Sequence, residues 1–338
     1  MATRKISYRK AINEALAQEM ERDSTVIIMG EDVAGGAGGQ GEDDAWGGVL
    51  GVTKGLYGRF PGRVLDTPIT ESAYIGAAIG AATRGLRPVA ELMFIDFTGV
   101  CLDQIMNQAA KFRYIFGGKA VTPVTIRTMY GAGLRAAAQH SQALYPLFTH
   151  IPGLKVVVPS SPYEAKGLLT QSIRDDDPVI FFEHKAMYDV TGEVPEESYT
   201  IPFGEANVVR EGDDVTVVAI GRMVSVAEDA ARELKGSGIS MEIIDPRTVS
   251  PLDLGTILES VGKTGRLVVV DEASPRCNIA ADISAQVVSA AFGDLKAPVK
   301  MVSPPHVPVP FAASLEDLYI PSAQNIVNAV KMVTEWSK

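Results

Sequence analysis

Glu71 is the acid in this sequence whose setting points most directly to chemistry. It ends the run LDTPITE, where a predicted strand gives way to a predicted helix. Open α/β sheets bind their ligands at strand ends of this kind, so this carboxyl group could act in a site. The alternative is an acid in the first turn of a helix that Thr70 caps, where the helix dipole favours negative charge.

His140 is one of four histidines and lies in the run AAAQHSQALYP. Gln139, Ser141 and Gln142 surround it with polar groups inside an apolar stretch, and such groups must be hydrogen-bonded if they are buried. A histidine titrates near neutral pH, which suits proton transfer. A structural histidine that is satisfied by its neighbours is the alternative.

Two further groups of acids are candidates for a site. Glu31 and Asp32 end the first predicted strand, where they could orient water, relay a proton or cap the following loop. Asp175, Asp176 and Asp177 follow a predicted helix at its C-terminus, where the helix dipole disfavours acids. Either a solvated turn or a bound hard cation explains this run, because such cations prefer oxygen ligands.

Residues 36–41 read GAGGQG, which is a literal GxGxxG sequence after a strand. A dinucleotide site requires a helix to begin directly after this motif, because the helix N-terminus holds the pyrophosphate. Here Glu42, Asp43 and Asp44 follow instead, and three carboxylates would repel a pyrophosphate. We therefore interpret the segment as a glycine-rich surface loop.

The composition excludes several classes of protein. A net charge of −10 opposes non-specific binding to nucleic acid, which needs a basic surface. The sequence contains no apolar stretch of membrane-spanning length and no signal peptide, so we expect a cytoplasmic protein without a membrane partner. Its two cysteines lie far apart, and it contains no GxSxG elbow, HExxH or Walker A motif.

Helix and strand signals alternate over the 338 residues. This alternation predicts an α/β fold of two domains, each a mainly parallel sheet flanked by helices. The polar segment 189–203 is predicted to link a first domain, residues 1–188, to a second, residues 204–338. The clearest predicted helices span residues 7–21, 71–84, 99–115 and 162–174.

The motifs occur in the same order as in one family. They are GED at 30–32, DTPITE at 66–71, AAQHSQ at 137–142, PGLKVVVPS at 152–160 and IRDDDPVI at 173–180. Together they resemble the beta chains of the thiamine-diphosphate-dependent components of pyruvate, branched-chain 2-oxo acid and acetoin dehydrogenase complexes. The similarity spans nearly the whole chain. It implies a thiamine-diphosphate pyrimidine-binding fold followed by a transketolase C-terminal-like fold.

The resemblance also implies roles for single residues near the cofactor. Glu71 matches the family's catalytic glutamate, whose carboxyl group stabilises the imino tautomer of the aminopyrimidine. Phe97 matches the aromatic residue that packs on the pyrimidine ring. Ile69 and Met93 match positions that line the same pocket, and Glu31 matches an acid near the cofactor.

Three further positions match residues that the family uses elsewhere. His140 matches an active-site histidine that helps in proton transfer or in acylation of the lipoyl group. Asp175 and Asp177 match a loop that holds a structural potassium ion in some relatives. Several relatives have Asn at the position of Asp177, so this sequence departs from the pattern there.

In this family the cofactor is shared with an alpha subunit, which holds the diphosphate and its magnesium. The resemblance therefore implies a heterotetramer of two alpha and two beta chains, docked on a lipoyl acyltransferase core.

Three segments are most similar to the acetoin-cleaving members: residues 95–119, 131–142 and 305–318. They imply cleavage of acetoin to acetaldehyde and a hydroxyethyl unit that passes to a lipoyl group. The alternatives are oxidative decarboxylation of pyruvate or a branched-chain 2-oxo acid, a non-catalytic scaffold chain, and an oxidoreductase that binds NAD through GAGGQG.

Overall fold

The computed structural model describes residues 3–34 and 47–337. The glycine-rich run 36–41 and the acids at 42–44 lie outside these ranges, so the interpretation of that segment stays a prediction. Two compact units are formed. The first comprises the described residues of Met1–Tyr130 and Leu147–Phe203, and the second comprises Gly131–Pro146 with the described residues of Gly204–Lys338.

Up to residue 203 the chain alternates between strands and helices. The strands are β1 (Thr3–Ser7), β2 (Val26–Gly30), β3 (Val64–Asp66), β4 (Arg87–Phe94), β5 (Thr125–Tyr130), β6 (Lys155–Val157), β7 (Val179–His184) and β8 (Thr191–Pro195). The helices are α1 (Tyr8–Arg22), α2 (Leu56–Arg59), α3 (Glu71–Ala82), α4 (Ala110–Ile115), α5 (Tyr145–Thr149) and α6 (Pro162–Arg174).

Six strands of the first unit form a parallel sheet in the order β6-β7-β5-β4-β2-β3. Every residue of β5 and β7 is buried, as expected when both faces of a parallel sheet are covered. Helices α1 and α6 begin at the serine caps Ser7 and Ser161, whose hydroxyls accept hydrogen bonds from backbone amides three residues on. Their apolar faces pack into the core beside the sheet.

The second unit contains the remaining elements. Its strands are β9 (Asn207–Arg210), β10 (Val215–Ala219), β11 (Met241–Asp245), β12 (Thr248–Ser250), β13 (Leu267–Val270) and β14 (Lys300–Val302). Its helices are α7 (Met223–Leu234), α8 (Leu254–Thr264), α9 (Ile279–Ala291), α10 (Ala313–Tyr319) and α11 (Ala323–Thr334). A sheet runs in the order β14-β13-β10-β11-β9 and is parallel except at β9. The predicted α/β class with two mainly parallel sheets is therefore confirmed.

The structure differs from the predicted elements in three places. Residues 99–115 do not form one helix: a 3₁₀ segment ends at Val100, a π-helical stretch spans Gln104–Ala109, and only then does α4 begin. The predicted linker 189–203 contains β8, which pairs with β1 in antiparallel register, so Thr191–Pro195 lies on a two-stranded ribbon. Residues 131–146, which fall inside the first predicted domain, group with the second unit.

Among the described residues, no helix is both long enough and apolar enough to cross a bilayer.

Candidate functional site

The carboxyl ends of β2, β3 and β4 lie side by side in the first sheet. Gly30 at the end of β2 is aligned with Asp66 of β3 and with Glu91 of β4. From β2 the chain passes to β3 on one side, whereas from β4 it passes to β5 on the other. The crevice outside the ends of β2 and β4 is thus a topological switch point, which is where open α/β sheets bind ligands.

Three segments with predicted cofactor residues leave the sheet at this edge. Glu31 follows β2 directly, Ile69 and Glu71 follow β3, and Phe97 lies just beyond β4 in the 3₁₀ segment Ile95–Val100. The amide of Ala34 donates to the Asp66 carboxylate at 2.6 Å, and the amide of Thr67 donates to the Gly30 carbonyl at 3.0 Å. These bonds tie the first two segments together at the strand ends.

Glu31 is a buried acid, with only 7% of its surface exposed. Burial, followed by the nearby charges of Glu71, Asp32 and Glu91, raises its pKa to about 7. Its Oε1 atom has no hydrogen-bond partner among the described residues. A buried carboxyl oxygen of this kind can hold a proton near neutral pH and offer it to a bound group.

Glu71 is the first residue of α3 and is partly exposed, so its carboxyl group can reach a ligand at the sheet edge. No side-chain hydrogen bond is made by the cap residue Thr70 to this helix end. Burial and the charge of Glu71 raise the pKa of the Cys101 thiol to about 12. That charge likewise contributes to a raised pKa of the buried Tyr74 hydroxyl, after burial itself and the charge of Glu31. Glu31, Glu71, Tyr74 and Cys101 therefore form one electrostatically coupled group.

Apolar side chains lie near the ends of the same strands as these acids. Ile69, in the turn before α3, is 81% exposed, which is unusual for a residue of its size. Met93 and Phe97 are half-buried, and Phe97 contacts Phe94 edge to face with ring centroids 5.7 Å apart. An acid beside exposed apolar and aromatic surface fits an aromatic heterocycle with a ring nitrogen, as the aminopyrimidine of thiamine diphosphate has.

Behind the site, a buried ionic network links three strands. Arg127 of β5 donates to Glu91 of β4 at 2.8 Å and to both carboxylate oxygens of Glu183 of β7, at 2.6 and 2.8 Å. The Tyr188 hydroxyl also donates to Glu183, at 2.7 Å. This network was not anticipated from the sequence. The sequence could have indicated it through the charged residue inside each of three apolar strands, because such residues are almost never buried unpaired.

His140 lies in the segment 131–146, which belongs to the second unit. The segment is not helical until α5, and His140 itself is partly buried. Its amide donates to the Ala137 carbonyl at 3.4 Å, while the Gly131 amide donates to the Gln142 carbonyl at 3.2 Å. The segment therefore closes on itself as a loop that presents His140.

Asp175 and Asp177 lie at the amino ends of the strands of the first sheet, between α6 and the beginning of β7. Lys155 Nζ bonds both carboxylate oxygens of Asp175, at 2.6 and 2.7 Å, and the Arg113 guanidinium bonds Asp177. Among the described residues there is no group of three or more His, Cys, Asp and Glu side chains that could hold a metal. The two carboxylates thus have cationic side chains as partners, which is a poor donor set for a potassium ion, and that ion stays a prediction.

Two domain families match the chain. Residues 4–191 match the transketolase pyrimidine-binding domain, and residues 204–326 match the transketolase C-terminal domain. A solved structure described as a split-gene transketolase, an inactive beta4 tetramer, superimposes with a TM-score of 0.78 over 98% of this chain and 99% of that one. At 23% identity this likeness concerns the fold alone.

Relatives of much higher identity cover the whole chain. The acetoin:2,6-dichlorophenolindophenol oxidoreductase subunit beta of Cupriavidus necator is 68% identical, over 99% of this chain and 99% of its own. The protein of the same name from Bacillus subtilis is 58% identical, with 96% of each chain covered. The pyruvate dehydrogenase E1 component subunit beta of Rickettsia felis is 45% identical, over 98% of this chain and 99% of its own.

Fold and site together define a two-domain protein of the transketolase type, with a candidate site at the switch point of its first sheet. The chain belongs to the family of beta subunits of thiamine-diphosphate-dependent dehydrogenases, which includes the acetoin- and pyruvate-linked relatives. The resemblance inferred from the motifs is confirmed.

Proposed function

We propose that this chain is the beta subunit of an acetoin dehydrogenase and that its switch-point crevice binds the aminopyrimidine of thiamine diphosphate. The observation that carries the cofactor assignment is the acid pair Glu31 and Glu71 beside exposed apolar side chains. The substrate assignment is supported by two relatives of 68% and 58% identity whose names specify acetoin.

Thiamine diphosphate, when bound, supplies the electron sink for cleavage of the carbon–carbon bond of acetoin. Glu71 would hold a proton against a ring nitrogen of the bound pyrimidine. Glu31 holds a second proton close by, because its pKa of about 7 leaves it partly protonated at neutral pH. Ile69, Met93 and Phe97 would contact the ring and keep water from it.

His140 acts on the substrate or on the incoming lipoyl group, and the segment 131–142 delivers it. An alpha subunit completes the site and holds the diphosphate with its magnesium. Two alpha and two beta chains form a heterotetramer, which docks on a lipoyl acyltransferase core. The names of the relatives, each called a beta subunit, support an alpha partner for this chain.

The test is thiamine-dependent reduction of an artificial dye by this chain co-purified with its alpha partner. We expect turnover with acetoin and little with pyruvate or a branched-chain 2-oxo acid. If the complex prefers pyruvate, the proposed cofactor site stands and the proposed substrate is wrong. That outcome would agree with the name of the 45% identical relative, a pyruvate dehydrogenase subunit. Activity with none of these substrates, in a complex that binds thiamine diphosphate, would favour a scaffold chain.

A further inference from the structure

The loop that carries His140 is held by buried acids of the second unit. The Ala132 amide donates to Glu272 at 2.7 Å, and the Tyr145 hydroxyl bonds the buried carboxylate of Asp271. Asp271 and Glu272 directly follow β13, so a rigid strand end anchors both the beginning and the end of the loop. Between these two anchors, the backbone at Gly133 and Arg135 makes a further contact.

Glu316 of α10 makes that contact. Its side chain is fully buried, and its carboxylate accepts hydrogen bonds from the amides of Gly133 and Arg135, at 2.8 and 3.2 Å. The guanidinium of Arg135 adds a third bond to Glu316 at 2.5 Å and a bond to the exposed Asp317 at 2.6 Å. One carboxylate therefore satisfies two backbone donors and one charged donor within three residues of chain.

The backbone held by Glu316 is strained. Arg135 and Ala137 have φ angles of 56° and 60°, in the left-handed region that residues with a Cβ adopt rarely. Residues in this region persist only where the surrounding structure imposes the conformation. His140 follows three residues after Ala137, and its own amide bonds the Ala137 carbonyl. Relaxation of this strain would therefore move the histidine.

We propose that Glu316 is a positioning residue for His140, which it places by holding the backbone that is left-handed at Arg135 and Ala137. The inference rests on the role proposed above for His140. It also gives a function to the segment PFAASLED, whose buried acid Glu316 makes these three bonds.

Glu316→Gln is the first test, in the complex of this chain with its alpha partner. An amide nitrogen cannot accept a hydrogen bond, so the two donors of Arg135 lose their acceptor while the volume stays the same. We expect kcat for acetoin to fall roughly tenfold or more, because small displacements of a catalytic group are costly. The Kd for thiamine diphosphate should not change. The matched control is Asp317→Asn, which removes only the negative charge of the exposed partner of Arg135 and should change kcat by less than about twofold.

A double-mutant cycle with His140→Ala separates positioning from general damage. If Glu316 acts through His140, Glu316→Gln should lower the single-turnover rate by less than about twofold once the histidine is absent. An equal loss with and without His140, or no loss in its presence, would overturn the proposal. Full activity of His140→Ala alone would instead remove the role proposed for His140, and with it the need for a positioning residue.

If Glu316→Gln does not assemble, Arg135→Gln tests the same contact from the other side. This substitution leaves both backbone bonds to Glu316 in place and removes only the guanidinium. We expect a smaller, several-fold loss of kcat that again disappears in the His140→Ala background. A loss that persists there would contradict the proposal.

Discussion

The hydroxyl of Tyr74 donates a hydrogen bond to the backbone carbonyl of Glu91 at 3.2 Å. Tyr74 lies one turn into α3, and Glu91 lies in the middle of β4. The bond therefore fixes the helix that begins at Glu71 against the strand that leads to Met93 and Phe97. It joins the acid of the candidate site to the apolar residues of the same site.

Replacement of Tyr74 by Phe should weaken this alignment. The buried carbonyl of Glu91 loses one donor, which should lower the free energy of unfolding by about 1 kcal/mol. The Kd for thiamine diphosphate should rise several-fold, as measured by titration of the assembled complex. The control is Tyr199→Phe, since the Tyr199 hydroxyl also bonds a backbone carbonyl, that of Tyr163 at 2.8 Å, but lies outside the site. An equal rise in Kd for both variants would contradict the assignment.

Glu71→Gln should abolish most of the activity while the complex still assembles. An amide cannot share a proton with the cofactor, and loss of such proton transfer costs on the order of a hundredfold or more in kcat. Asp282→Asn is a matched control, because Asp282 is also an acid in the first turn of a helix, α9. If both substitutions have the same small effect, Glu71 serves only the helix dipole.

Glu31 should make stability depend on pH. Its pKa lies near 7 in the folded chain and near 4.5 when unfolded, so the folded state binds more protons between these values. The cost of ionising it is therefore absent below pH 4.5, grows as the pH rises, and is complete above about 7, where it reaches at most about 3 kcal/mol.

Glu31→Gln should consequently raise the melting temperature of the cofactor-free complex above that of the unsubstituted complex, and this gain should be larger at pH 8 than at pH 5. The control is Glu21→Gln, at an exposed acid paired with Arg59, which should show no such pH-dependent gain. A gain that is the same at both pH values would show that ionisation of Glu31 is not the cause.

Arg127 should be among the most sensitive positions for folding. Arg127→Met leaves the buried carboxylates of Glu91 and Glu183 without their cation, and the loss of one partner of a buried ion pair costs about 3–5 kcal/mol. Chemical denaturation should detect this loss. Arg59→Met, which breaks the exposed pair with Glu21, should cost less than about 1 kcal/mol. Similar effects of the two substitutions would mean that the network is not maintained in solution.

The loop at Asp175–Asp177 should not respond to potassium. Lys155 and Arg113 already neutralise its carboxylates, so the melting temperature of the complex should be the same in potassium and sodium chloride at equal ionic strength. A rise specific to potassium would restore the cation site that the family resemblance implies.

Several elements could be predicted from the sequence because local signals determine them. The helix predicted over 162–174 forms with those bounds, since a serine cap and a proline in the first turn define its start. Continuous apolar runs predicted the buried parallel strands. The motif DTPITE placed Glu71 at the first position of a helix, where the structure has it.

Other features depend on contacts that are distant in sequence. The raised pKa of Glu31 arises from burial and from the charges of Glu71, Asp32 and Glu91, and spacing along the chain does not encode the burial or the approach of Glu71 and Glu91. Partners for Asp175 and Asp177 come from residues 20 and 64 positions away.

The segment around His140 likewise groups with residues more than a hundred positions further on, because its backbone amides find their acceptors at Glu272 and Glu316. Local sequence thus determined which elements form and which family the chain resembles. Tertiary structure decided which charges meet, because hydrogen bonding and desolvation depend on distance in space rather than on order in the chain.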